Sequence, residues 1–312
     1  MSDAKVIVLT GGIGGAKLVL GLAHAITPSL IVSIVNTGDD VEHLGLCISP
    51  DIDTLLYTLS GKADTAKGWG RADETWTFMD TLRQIGGPDW FLLGDGDLAI
   101  HVLRTAWMKA GRSLSEVTAD LASRFGLESR VLPMSDDPVA TRLTTDEGEL
   151  EFQRYFVERR CAPEVNAIDF AGAEASAPAP GVIEALTDPD AAAILIAPSN
   201  PFLSVDPILA VPGIRDALAA ARAPVVAISP LVGGEAVKGP TAKLMREIGM
   251  EVSAQSIADH YCGLIDGILI DEGDRDDVSG VPQARCDTLM NDLDDRIRVA
   301  QAALSLARSL RS

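Results

Sequence analysis

A glycine-rich turn and a group of carboxylates crowd the first sixty residues of this chain. Residues 6–17 read VIVLTGGIGGAK, followed by NTGDD at 36–40 and SPDIDT at 49–54. Glycines at Gly11, Gly12, Gly14 and Gly15 let backbone N–H groups approach an anion at a helix N-terminus, and Lys17 can add a point charge. Neither common phosphate cradle fits. A dinucleotide fingerprint begun at Gly12 needs a third glycine where Lys17 stands, and a Walker loop needs glycine at Ala16 and Ser or Thr at Leu18. A tight strand-to-helix turn that only packs closely is the alternative. Asp39, Asp40, Asp51 and Asp53 are hard oxygen ligands of the kind that share Mg²⁺ with phosphates; helix capping by Asp51 or Asp53 explains them equally well. His101, after the GDGD run at 94–97, is a better site candidate than His24 on its apolar helix. Asp136, in SDDP at 135–138, suits a turn or a ligand loop. Ser199 is not in a G-x-S-x-G elbow, and no Ser/His/Asp or Cys/His order supports a hydrolase triad.

These residues need a scaffold, and the pattern predicts an α/β one. Strands are expected at 5–10 and 30–35, with a helix over 16–26 between them, because continuous β-branched runs mark strands covered on both faces. The order strand, glycine turn, helix, strand implies a parallel, right-handed unit. From about 54 to 160 the texture becomes helical, with helices expected at 74–84, 98–110 and 114–125. A small hairpin, 141–144 with 149–156, follows. Strands at 193–197, 225–229 and 267–270 and helices at 211–221, 241–248 and 293–310 then restore the α/β rhythm. The expected division is a core of 1–60 and 182–312 with an inserted, mostly helical domain, 61–181. Every predicted core strand ends in a polar, Gly/Pro-rich loop: TGGIGGAK, NTGDD, PSNP (198–201), PLVGGEAVKGPTAK (230–243) and DEGD (271–274). Ligands of open α/β sheets sit at such carboxyl ends, so these loops outline one cleft.

Composition narrows the partners. A net charge of −19 over 312 residues argues against nucleic acid or an anionic membrane, but not against a small anion held by local cations. The cysteines, Cys47, Cys161, Cys262 and Cys286, are too scattered for a zinc motif or disulfide frame. With no signal-peptide pattern and no long apolar run, a cytoplasmic protein is expected.

Taken in order, the motifs TGGIGGAK, NTGDD, ISPDIDT, GWGRADETW, LGDGDLAIH, LPMSDDPV, FQRYFV, APSNP, SPLVGG, GPTAKLM and DTLM resemble the 2-phospho-L-lactate transferases of coenzyme F-420 biosynthesis over residues 6–290. The resemblance implies a Rossmann-like three-layer core with an inserted domain over the cleft, commonly a homodimer. It also implies Mg²⁺ and transfer of a phospho-acid from a guanosine-diphosphate-linked donor to the ribityl hydroxyl of the deazaflavin Fo, with release of GMP. Carried onto this chain, it puts the donor on Gly11, Gly12, Gly14, Gly15, Lys17, Ser199, Asn200, Thr241 and Lys243. Asp39 and Asp53 would be catalytic and hold Mg²⁺, while Asp53, Trp69, Asp95, His101 and Asp136 would meet the deazaflavin. One departure is visible: the family loop LGDRD carries a basic residue where this chain has Gly96. Phospholactate, phosphoenolpyruvate and 3-phosphoglycerate all remain open as the acid. The rival reading is a nucleotide-sugar-binding regulator with a similar core, which has no use for the GWGRADETW and MSDDP segments. An NAD(P) dehydrogenase is disfavoured by Lys17 and by the lack of an acidic residue closing the second strand.

Overall fold

The computed structural model describes residues 4–236 and 239–311. The chain begins β1 (Val6–Thr10), α1 (Gly12–Ala25), β2 (Ile31–Val35), then a hairpin of β3 (Val41–His43) and β4 (Leu46–Ile48). Four helices follow, α2 (Pro50–Leu59), α3 (Thr77–Gln84), α4 (Asp95–Lys109) and α5 (Leu114–Arg124), before β5 (Arg130–Pro133). A small antiparallel sheet contains β6 (Ala140–Thr145), β7 (Gly148–Glu151) and β8 (Val165–Ala171). The second α/β run opens with α6 (Val182–Leu186), β9 (Ala193–Ile196), α7 (Asp206–Ala210), α8 (Ile214–Ala219) and β10 (Val225–Ile228). The hairpin β11 (Leu231–Val232)–β12 (Glu235–Ala236), α9 (Thr241–Glu247), α10 (Ala254–His260), β13 (Gly267–Asp271), β14 (Gln283–Cys286) and α11 (Leu293–Ser309) complete it.

Among the described residues, seven parallel strands form the central sheet in the order β14-β13-β10-β9-β1-β2-β5. Alternation along each strand sends side chains to two separate cores. Ile7, Leu9, Ile194 and Ile268 pack with α6 to α10, whereas Val6, Val8, Leu195 and Leu269 pack with α1, α2, α5 and α11. That is why VIVLT and IVSIV are apolar without a polar face: both sides of the sheet are covered. The expected α/β class with a largely parallel core sheet is therefore the observed one.

Three local readings change. The first helix begins at Gly12, not at 16, so most of the glycine run is helix rather than loop. The segment expected to be a separate insertion, 61–181, contributes β5 to the core sheet, where Val32 to Val35 pair with Arg130 to Pro133. The small hairpin gains a third strand, β8, paired along β6. All four cysteines are free thiols, and no helix among the described residues is long and apolar enough to cross a membrane.

Candidate active site

Close packing explains the glycines first. Gly11 stands extended just before α1, and Gly12 enters the helix with φ +63°. Ser199 hooks this turn from the β9 loop, its hydroxyl donating to the Gly11 carbonyl at 2.7 Å while accepting the Gly11 N–H at 3.2 Å. A Cβ on Gly15 would lie 2.1 Å from Thr10 Oγ1, and one on Gly14 would lie 2.5 Å from the Pro198 carbonyl oxygen. The second clash is with backbone that cannot swing away. Gly14→Ala is thus expected to lower unfolding free energy by about 1–3 kcal/mol, read as a reduced urea midpoint.

Beside this turn lie the carboxylates of Asp39 and Asp51, both buried, and of Asp40, half-buried and within reach of the Arg104 charge. Asn36, at the end of β2, organises them: its amide donates to Asp51 Oδ2 at 3.0 Å, and its carbonyl accepts the Gly38 N–H at 2.8 Å. Gly12 N–H also donates to Asp51, so the N-terminus of α1 is already partly capped by protein. Burial pushes the Asp51 carboxyl up to about 6. Asp39 is held well above the usual carboxylate range by burial and then by the charge of Asp51. Burial does the same to Asp40 despite the Ser49 hydroxyl, which donates to it at 2.6 Å. Asp39 Oδ1, Asp40 Oδ1 and the hydroxyls of Thr10, Thr37 and Thr141 are buried without hydrogen-bond partners among the described residues.

Asp53 belongs to a different arrangement. It projects from the first turn of α2, and both its oxygens accept from the Arg104 guanidinium of α4, with Nη1 at 3.0 Å from Oδ2. Arg104 is wholly buried and so is His101, whose Nδ1 lies 3.3 Å from Arg104 Nη1. His101 Nε2 is 3.2 Å from Asp97 Oδ2, and Asp97 also accepts the Tyr57 hydroxyl. Contacts with His101 and Tyr57 outweigh burial and keep Asp97 below the usual carboxylate range. Helical spacing builds this network, with Asp53 and Tyr57 one turn apart on α2 and Asp97, His101 and Arg104 on one face of α4. Asp53, Asp97 and His101 bring ligand atoms within 4.8 Å of one another, a cluster that could coordinate a metal.

A profile of the family described as "2-phospho-L-lactate transferase CofD" matches residues 6–304. The chain belongs to the CofD family. A phosphoenolpyruvate transferase of Kitasatospora aureofaciens is 44% identical over 319 residues, covering 98% of this chain and 99% of the relative. One from Mycolicibacterium smegmatis is 38% identical over 324 residues, covering 97% and 98%. A crystal structure of a UPF0052 family member from Bacillus halodurans matches with a TM-score of 0.66 at 19% identity, over 97% of this chain and 99% of the other. At that identity the likeness shows the fold.

Several residues that the CofD resemblance assigns to ligands are engaged with protein here. Lys17 donates to the Met290 carbonyl at 2.6 Å, bridging α1 to the segment before α11. Lys243 donates to the Pro163 carbonyl at 2.7 Å and pairs with Glu247, so it ties α9 to the chain just before β8. Asn200 caps its own turn by accepting from Phe202 and Leu203, and donates to Thr241 Oγ1 at 3.1 Å. Asp95 accepts from Thr75, Thr77 and Phe78 around the start of α3. Asp136 likewise holds the Ser115 N–H and hydroxyl at the start of α5. His101, expected against the deazaflavin, is enclosed in the Asp53–Arg104 network instead.

Trp69 stands at the surface. It is 47% exposed and lines a shallow groove with Lys67, Arg71, Glu74, Trp76 and Asp97, where Lys67 Nζ stands 4.7 Å from the Trp76 ring centre. The groove also resolves the missing cation of the LGDRD loop. A Cβ on Gly96 would lie 2.4 Å from Arg71 Nη1, so the Arg71 guanidinium fills the space a larger residue would occupy. Glu74 anchors it at 3.2 Å and accepts the Gly96 and Asp97 N–H groups at 2.6 and 2.9 Å. Arg104, Tyr57, Asp97, Arg71 and Glu74 are the residues that sequence reasoning missed.

Proposed function

We propose that this chain transfers phosphoenolpyruvate from a guanosine-diphosphate-linked donor to the ribityl hydroxyl of the deazaflavin Fo, releasing GMP. The hydroxyl oxygen bonds to the phosphorus that carries the enol acid, and that phosphorus loses its bridging oxygen to GMP. The observation that carries the reading is the group Asp39, Asp40 and Asp51 beside the glycine turn, in which one oxygen each of Asp39 and Asp40 is buried and unpartnered among the described residues. An all-oxygen, electron-rich set of this kind fits Mg²⁺, which binds proteins through one or two carboxylates and completes its shell with phosphate and water. Asp39 and Asp40 would hold it, and when bound it neutralises charge on the diphosphate. Asp53 is the poorer ligand, because Arg104 already answers its charge.

Phosphoryl transfer through a loose transition state asks mainly for positioning and charge neutralisation. The backbone N–H of Gly14 and the loop at Ser199–Asn200 would seat the diphosphate. Arg104 holds Asp53 rigid, so that Asp53 orients the acceptor hydroxyl and takes its proton late, once the new bond has made that proton acidic. Trp69 and Trp76 offer flat apolar faces on which the deazaflavin can stack. Choice of phosphoenolpyruvate over the other two acids is supported by the 44%-identical relatives, which are phosphoenolpyruvate transferases.

Incubation of purified protein with Fo, Mg²⁺ and each guanylylated acid in turn tests the reading. Chromatography is expected to show GMP and a deazaflavin product from the enolpyruvyl donor at least tenfold faster than from the lactyl or glyceryl donor. A preference for one of the others would correct the acid. No turnover with any of them, alongside tight nucleotide-sugar binding, would replace the enzyme with a regulator.

A further inference from the structure

The carboxyl ends of β10 and β13 hold a carboxylate that the phosphate chemistry does not use. Asp271, closing β13, is fully occupied. Its Oδ1 accepts from Gly273 N–H at 2.8 Å, and its Oδ2 accepts the Thr288 N–H at 2.8 Å and hydroxyl at 3.0 Å. Asp274, three residues on, is not. It is 8% exposed, and its Oδ1 accepts the Gly234 N–H at 2.8 Å, while Oδ2 is buried with no partner among the described residues. Arg285, the nearby cation, spends its N–H groups on the carbonyls of Asp271, Asp274 and Asp276 and on Asp277. Burial, with a contribution from Asp271, raises the Asp274 carboxyl above its ordinary value. A buried acceptor that the protein leaves empty costs stability unless something else donates to it.

Its place suggests the donor. In the sheet β13 stands three strands from β1, across β9 and β10. At about 4.8 Å per strand this is roughly 14 Å from the glycine turn, the reach of an extended nucleoside diphosphate from its terminal phosphate to the far edge of its base. The turn that holds Asp274 is Gly233-Gly234, both at positive φ, and a Cβ on Gly273 would lie 3.5 Å from Gly233 Cα. The Gly234 N–H that Asp274 Oδ1 accepts comes from this turn, so backbone without side chains flanks the carboxylate.

We propose that Asp274 selects the donor's base by accepting from the N1–H and 2-amino edge of guanine. This rests on the donor assignment above and goes beyond it by naming the residue that reads the base. Adenine presents an acceptor at N1, which a carboxylate repels. Hypoxanthine keeps N1–H but lacks the amine, and xanthine carries a carbonyl in its place.

Calorimetric titration of the full chain and of Asp274→Asn with GDP, IDP, ADP and XDP tests this. Wild type is expected to bind GDP roughly tenfold tighter than IDP, with ADP and XDP weaker still. Asn keeps an oxygen for Gly234 N–H and turns an NH₂ donor toward the base. GDP should then weaken about 100-fold while XDP binds tighter than to wild type. Misfolding cannot produce that gain. Unchanged GDP binding by the variant, or equal loss of all four nucleotides with no gain for XDP, would overturn the assignment to Asp274. A wild-type protein that binds no GDP at all would instead sink the donor reading itself.

Discussion

Asp39→Asn is expected to cut turnover by about 10²–10³-fold while making the metal-free protein more stable. Both effects come from one arrangement. Asp39 and Asp51 share a fully buried site in which burial, and for Asp39 also the neighbouring charge, disfavours the ionised form. The sign follows directly. A carboxyl whose folded value lies above the unfolded one keeps its proton in the native state while the unfolded chain has lost it. Between those values unfolding free energy falls as pH rises. For Asp51 the window runs from 3.8 to about 6, worth about 3 kcal/mol at 1.36 kcal/mol per unit. Asp39, raised in the same direction, adds to the decline. The wild-type protein in chelator should therefore melt progressively lower as pH rises through this range, and Asp39→Asn should flatten the decline. Added Mg²⁺ should restore the melting temperature of wild type at pH 7.5 and leave the variant nearly unmoved, because binding to the native state alone is what stabilises. Melts from pH 4.5 to 8, with chelator or Mg²⁺, read both curves. A variant that melts below wild type in chelator at pH 8, or that turns over within a few-fold of it, would contradict the shared-site argument.

What could be read from sequence divides along the range of the interactions. VIVLT and IVSIV announce buried parallel strands because their environment is uniform on both faces, so identity alone carries the signal. β5 and β14 read RVLP and QARC, with a proline or charges and no apolar run; their pairing is a property of the sheet they join. Asp39, Asp40 and Asp51 were visible as carboxylates close in sequence to a glycine turn. Asp95 and Asp136 were visible on the same grounds, yet they cap helices through residues 17 to 21 positions away. No local pattern separates a ligand from such a cap. Arg104 was missed for the same reason. Its face of α4 can be traced by helical spacing, but that α4 packs this face onto Asp53, 51 residues earlier, is tertiary information.

Arg104→Met should be the most damaging single change to stability outside the apolar core. A buried guanidinium paired to one carboxylate gains little net stability over a well-packed apolar pair, because desolvation of both ions offsets their attraction. Removing only the cation is another matter. Asp53 is 4% exposed and would lose the guanidinium from which both its oxygens accept, at a cost of about 3–5 kcal/mol. A fall of roughly ten degrees in melting temperature is expected. Arg104→Lys should fall between, since an ammonium cannot span both Asp53 oxygens while also reaching His101 and the Cys47 carbonyl. The decisive measurement is the double variant Asp53→Asn with Arg104→Met. Removing the stranded charge should recover most of the lost stability, giving a coupling of at least about 2 kcal/mol in a double-mutant cycle. A double variant no more stable than Arg104→Met alone would show that the loss is one of packing. Turnover should not return with stability in that variant, since in the proposed reaction Asp53 holds the acceptor hydroxyl. The pair can be replaced as a strut, but not as the group that aims the nucleophile.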